Sequence, residues 1–147
     1  MTINASAPLT LSGAQNVTVK GNWSNSGTFT PGTGTVTFNG SSAQTIGGTS
    51  ATTFNNLTVN NASGVSLSSV DATMNGTLTF TAGKITTGAN TLILPTGGTI
   101  TGAGADKYVY GNLQKAFNTG SGQTFTFEIG DASYYTPAQL ANFNVTT

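Results

Sequence analysis

The residues able to do chemistry are few. The carboxylates are Asp71, Asp106, Glu128 and Asp131, the cations are Lys20, Lys84, Lys107 and Lys115, and histidine, cysteine and arginine are absent. Without histidine the commonest general base and metal ligand is missing. Without cysteine there is neither a disulfide framework nor a thiol site. Glycoside hydrolysis asks two carboxylates to flank a sugar, and the pairs on offer are Asp106 with Asp131 or Glu128 with Asp131. The second pair, joined by backbone carbonyls, would also suit calcium. So small a set, with no histidine or arginine beside it, points to solvated or structural carboxylates. No catalytic site, no metal and no cofactor is expected. Four scattered lysines form no basic patch for phosphates, which argues against nucleic acid as a partner.

Aromatic and hydroxyl side chains offer binding chemistry instead. Trp23, Tyr108, Tyr110, Tyr134 and Tyr135 can stack on sugar rings wherever they are exposed. Trp23 fits an inward position, whereas Tyr134 and Tyr135 are adjacent and would face opposite ways in a strand. Those two are the candidate ligand-binding residues. Thr35/Thr37, Thr77/Thr79 and Thr99/Thr101 form outward Thr-x-Thr pairs, which resemble the ranks on some ice-binding surfaces, although Asn56/Thr58 interrupts the pattern. Sequons at Asn4, Asn16, Asn22, Asn56, Asn61, Asn75 and Asn144 follow from asparagine turns that lead into strands, and read as structural.

The elements that must position these residues are set by a repeat. Val36-Thr37-Phe38, Leu57-Thr58-Val59 and Leu78-Thr79-Phe80 recur at a 21-residue interval, and so do Thr45-Ile46 and Ser66-Leu67. Strand-like triplets at a period of about 20 residues are the mark of a solenoid of stacked coils. Asn39-Gly40, Gly47-Gly48, Asn60-Asn61, Asn75-Gly76 and Gly97-Gly98 supply the turns. The chain is therefore expected to be all-β: a right-handed parallel β-solenoid, or β-helix, with about three short strands per coil of about 21 residues. Val36, Phe38, Ile46, Phe54, Leu57, Val59, Val65, Leu67, Val70, Ala72, Met74, Leu78, Phe80, Ile85, Leu92 and Leu94 should point inward. After Leu78 the next apolar position is Ile100 rather than Thr99, so one extra residue is expected in the turn around Thr96-Gly97-Gly98. An antiparallel β-sandwich is the competing architecture, but its strands do not return in phrase at a fixed interval.

Only 5% of the 147 residues are charged and the formal net charge is zero, against roughly 25% charged in typical soluble domains. Residues 1–105 read as solenoid coils. Residues 106–147, richer in charge and aromatics, read as a terminal coil or cap, or as the lead into a following β domain. No run approaches the roughly 18 apolar residues of a membrane span, and Met1 to Leu11 lacks the pattern of an intact secretory signal.

The run from Asn22 to Gly40 (NWSNSGTFTPGTGTVTFNG), then Gln44-Thr45-Ile46 and Phe54-Asn55-Asn56-Leu57-Thr58-Val59, resembles the repeats of very large secreted surface proteins of Bacteroidetes and related bacteria. Tyr108-Val109-Tyr110-Gly111-Asn112-Leu113, Phe127-Glu128-Ile129-Gly130-Asp131 and Tyr135-Thr136-Pro137 are similar to the segment that closes such a β-strand repeat. The resemblance covers nearly the whole chain. It implies an extracellular or cell-surface, adhesin-like build, often exported by the type IX route with a separate C-terminal sorting domain that this sequence does not contain. A non-enzymatic structural module is therefore expected, a spacer or a filament-forming subunit. A carbohydrate- or surface-binding adhesin module is the alternative, and an ice-binding protein a more distant one. Expected partners are further copies end to end or neighbouring domains, with a glycan possible. Ile3, Leu9 and Leu11 at one end and Phe143 and Val145 at the other are the expected assembly contacts, because solenoid ends present unpaired strand edges.

Overall fold

A computed structural model describes residues 1–146. These form eighteen strands, numbered in chain order, and no helix. Three stacks of short strands give the coil three faces. Face one stacks β3 (Val17–Val19), β6 (Thr35–Phe38), β9 (Asn56–Asn60), β12 (Thr77–Ala82) and β14 (Thr99–Thr101). Face two stacks β1 (Thr2–Ile3), β4 (Trp23–Asn25), β7 (Gln44–Gly48), β10 (Val65–Ser68), the first part of β13 (Ile85–Leu94), the first part of β15 (Val109–Lys115), and β17 (Ile129–Gly130). Face three carries β2 (Leu9–Thr10) on β5 (Phe29–Thr30), and β8 (Thr52–Phe54) on β11 (Ala72–Met74), followed by the later parts of β13 and β15. All these pairings are parallel, which rules out the sandwich. The result is a β-solenoid of about six turns.

Register explains why the phrase repeats. Val17, Val36, Leu57, Leu78 and Ile100 lie over one another on face one, so one apolar column serves five coils. Slipping a strand by one residue would turn this column out to water. The Leu78 to Ile100 step is longer by one residue than the step before it, as Thr77 to Thr99 spans 22 positions and Asn56 to Thr77 spans 21. A tight turn takes up the extra residue: Gly98 N–H donates to the Pro95 carbonyl at 2.8 Å.

Inside, Val, Leu, Ile, Phe and Met fill the coils, and the inward set named from the sequence is buried except for Val70. Val70 is only half buried, in the turn after Ser69, whose φ is 70°. Around β4 the core is aromatic. Trp23 meets Phe29 edge-on at 4.8 Å and Phe54 at 5.3 Å, and its indole N–H donates to Thr52 Oγ1 at 3.2 Å. Edge-to-face pairs of this kind add about 0.5–1.5 kcal/mol beyond their buried area.

The corners are tied by polar side chains. Gln44 is buried where face two begins; its amide donates to the Val19 carbonyl at 3.0 Å and accepts from Gly40 N–H at 2.8 Å and Asn61 Nδ2 at 2.9 Å. Burying such a group is tolerable only because its partners are present. Gly83, at φ 80°, turns the chain where an added Cβ would run into the Asn61 carbonyl oxygen, so no other residue fits this corner.

The parallel stack runs on past Ala105, since Ile85 pairs with Val109 and Val109 with Ile129. Beyond β15 the chain leaves the pattern. β16 (Gly120–Phe127) does not stack on β14 but pairs antiparallel with β18 (Ala138–Val145). Phe117 anchors this hairpin, 4.9 Å from Phe143 and 6.0 Å from Phe125. No helix of the described residues is long and apolar enough to cross a membrane.

Candidate functional site

The four carboxylates serve the backbone or single neighbours. Asp71 Oδ1 accepts the Thr91 N–H of the next coil at 2.7 Å. Asp106 sits at φ 60° in a turn, is 86% exposed, and lies 3.8 Å from Lys84 Nζ. Asp131 Oδ1 accepts the N–H groups of Ser133 and Tyr134, each at 2.7 Å. Those bonds, with some help from Lys84, hold its carboxyl below the usual carboxylate range. Glu128 accepts the Tyr135 hydroxyl. Among the described residues, no group of three or more acids is placed to hold a metal ion.

Tyr134 and Tyr135 lie in the turn between β17 and β18 rather than in a strand, yet they face different surroundings. Tyr134 is 70% exposed. Tyr135 is half buried, 5.7 Å from the buried Tyr108 ring, and burial with the Glu128 hydrogen bond pushes its hydroxyl up to about 12. Tyr108 in turn donates to the Asp131 carbonyl at 2.8 Å and lies under Lys84, whose ammonium is 4.7 Å from the ring centre. Lys84 also donates to the Ala132 carbonyl at 3.0 Å, and is held above the ordinary lysine value chiefly by Tyr108. Of the two tyrosines, only Tyr134 is free to meet a ligand. Tyr110 is the other exposed tyrosine, 39% accessible on face two beside Thr86.

The expected assembly residues are placed differently from one another. Ile3 and Leu11 are 3% and 8% exposed, so their side chains belong to the core of the first coil. What remains open there is backbone, because β1, β2 and β3 are each the outer strand of their sheets. Leu9 is half buried beside them. Phe143 and Val145 lie in β18, Phe143 against Phe117 and Val145 opposite Gly120.

Sequence reasoning missed two features. One is an open groove of about 670 Å³ at the corner between faces one and two, lined by Ser63, Thr81, Lys84, Thr86, Asp106 and Lys107 among others. Its walls are the turns of three successive coils, brought together by the stacking itself, and no motif marks it. The other is a set of side-chain acceptors that reach from one coil to the next. Asn16 accepts from Thr35 N–H at 2.8 Å, Asn22 from Thr45 N–H at 3.0 Å, and Asn56 from Thr77 N–H at 3.0 Å, as Asp71 does for Thr91. Their spacing of about one coil was the available signal, hidden because asparagine is also the ordinary turn residue.

No family model matches the chain, and neither a curated protein nor a solved structure matches it.

Proposed function

We propose that this chain is a non-enzymatic structural module of an extracellular bacterial surface structure, a stiff spacer or a filament-forming subunit. The observation that carries the reading is the coil-to-coil tying. Parallel ladders run along three faces, one apolar column passes through five coils, and asparagine and aspartate acceptors clasp successive turns. Six coils at about 4.7–4.9 Å each make a rod roughly 25–30 Å long. Such a stack resists bending because each coil is bonded to both neighbours. The open backbone edges of β1, β2 and β3 suit continuation by further coils or by another copy. The test is hydrodynamic. Sedimentation and negative-stain images of the purified chain should show rods, growing in length with concentration if copies join. Compact spheres at all concentrations would sink the reading.

A second reading, a glycan-binding adhesin module, is favoured by Tyr134, whose ring is largely exposed next to the Asp131 turn. A glycan array should then show binding that Tyr134→Ala removes. An array without hits counts against it.

A further inference from the structure

Thr18, Thr37, Thr58, Thr79 and Thr101 occupy one register position on five successive strands of face one. Their strand neighbours Val36, Phe38, Leu57, Val59, Leu78 and Phe80 are buried, so the threonines stand on the outer side of the sheet. The rank is unbroken. Two positions earlier runs a second rank, Asn16, Thr35, Asn56, Thr77 and Thr99, in which Asn16 and Asn56 stand in place of threonine. Asn56 does not stand out from it. Its amide donates to the Thr33 carbonyl at 3.1 Å and its oxygen accepts the Thr77 N–H, so the side chain lies along the backbone. The interruption seen in the sequence is thus folded away beside a continuous line of hydroxyls.

The backbone positions that carry the ranks are evenly spaced in both directions. Along the rank the strands repeat at about 4.7–4.9 Å, and between ranks two residues span about 6.6–6.8 Å. Hydroxyls of adjacent coils come into contact, Thr77 with Thr99 at 3.1 Å and Thr79 with Thr101 at 3.3 Å. Each threonine presents one donor, two acceptor lone pairs and a methyl group. None of the five strands carries a charged residue, so no ionic hydration shell competes for the water above them. The other faces lack this uniformity. The matching line on face two is Thr45, Ser66, Thr86 and Tyr110, and on face three Thr53, Thr73, Ile93 and Gln114.

We infer that face one is an ice-binding plane. A neutral array of hydroxyl and methyl groups holds a layer of water by hydrogen bonds nearly as good as direct ones, on strands whose repeat of about 4.7–4.9 Å is close to that of oxygen atoms in an ice face. The ligand is crystalline water itself. This role is independent of the spacer reading, which concerns the ends of the stack and not its flank.

The experiment is a freezing-point hysteresis measurement on the purified chain, with microscopy of ice crystals growing in its presence. The expected result is a gap between melting and growth temperatures, with faceted crystals. Thr79→Tyr, which a strand favours, and Thr58→Lys, whose long side chain can reach into solvent from the outer side of the sheet, should abolish the gap while circular dichroism stays that of the parent. Thr73→Lys on face three should leave it intact. Hysteresis absent from the parent chain overturns the inference, and so does full hysteresis in folded Thr58→Lys or Thr79→Tyr. Partition of the labelled parent chain into a slowly growing ice hemisphere gives a reading independent of the variants: inclusion supports the inference and exclusion overturns it.

Discussion

Asn56 Oδ1 accepts the backbone N–H of Thr77, 21 residues later, at 3.0 Å, while its amide nitrogen donates back to the Thr33 carbonyl of the coil before. One side chain thus ties three coils at one corner. Asn16 and Thr35 repeat half of this arrangement at 2.8 Å, between the first coil and the second.

The first prediction follows from that clasp. Asn56→Ala removes an acceptor and a donor that local water replaces incompletely, and should cost about 1–2 kcal/mol, read as a lowered denaturation midpoint. Asp71→Ala, at a different corner, should cost a similar amount. The two clasps share no partner, so the double variant should show the sum within about 0.5 kcal/mol. A neutral Asn56→Ala would mean that the ladders alone hold the coils.

Such clasps mark the limit of what was legible beforehand. The apolar column from Val36 to Ile100 was readable because its members differ in chemistry from what surrounds them, and the one-residue step at Ile100 was readable for the same reason. Asn16, Asn22 and Asn56 were not, because asparagine suits a turn whether or not it reaches to the next coil. The groove beside Lys84 was hidden for a further reason: its walls are turns from three coils, and nothing in their composition says that stacking brings them together. The threonine rank was half legible. The pairs were visible, but how Asn56 lies depends on hydrogen bonds that only the folded coil defines.

Core packing gives the second prediction. Leu57 is fully buried between Val36 and Leu78 in the column. Leu57→Ala should cost about 2–5 kcal/mol through lost burial and the cavity left behind. Leu57→Asp, like Phe38→Asp, should leave an unpaired charge in the column and prevent folding, seen as loss of the β-sheet circular dichroism signal. A folded Leu57→Asp chain would contradict a single continuous core.

The third prediction concerns alkaline pH. Burial, and then the hydrogen bond to Glu128, keep the Tyr135 proton in place up to about 12, against an ordinary value of 10.0. Between those values the unfolded chain gives up this proton and the folded chain retains it. The unfolded state then binds fewer protons, so stability falls as pH rises through this window and is unaffected below it. Melting temperatures of the parent should therefore slope downward from about pH 10 toward about 12. Tyr135→Phe should flatten the part of that slope due to this group. An unchanged slope in the variant would assign the effect to other groups.

Lys115 supplies the last prediction. Its ammonium donates to the carbonyls of Pro95, Thr96 and Gly98 at 2.7, 2.8 and 2.9 Å, and lies 5.4 Å from the Phe125 ring centre and 5.8 Å from that of Phe117. Burial holds its pKa below the ordinary lysine value. The turn that absorbs the extra residue before Ile100 and the hairpin that leaves the solenoid are thus joined through one cation. Lys115→Met keeps an apolar stem over the rings but strips three carbonyls of a charged donor. The expected cost is about 1.5–3 kcal/mol. Where the cost appears is the sharper test. Because the bonds link the hairpin to the last coils and not to the middle of the stack, amide exchange in Gly120–Phe127 and Ala138–Val145 should accelerate, while the amides of Leu57 and Leu78 keep their protection. A uniform rise across the chain would instead make hairpin and coils one cooperative unit, with Lys115 holding the whole stack rather than its end.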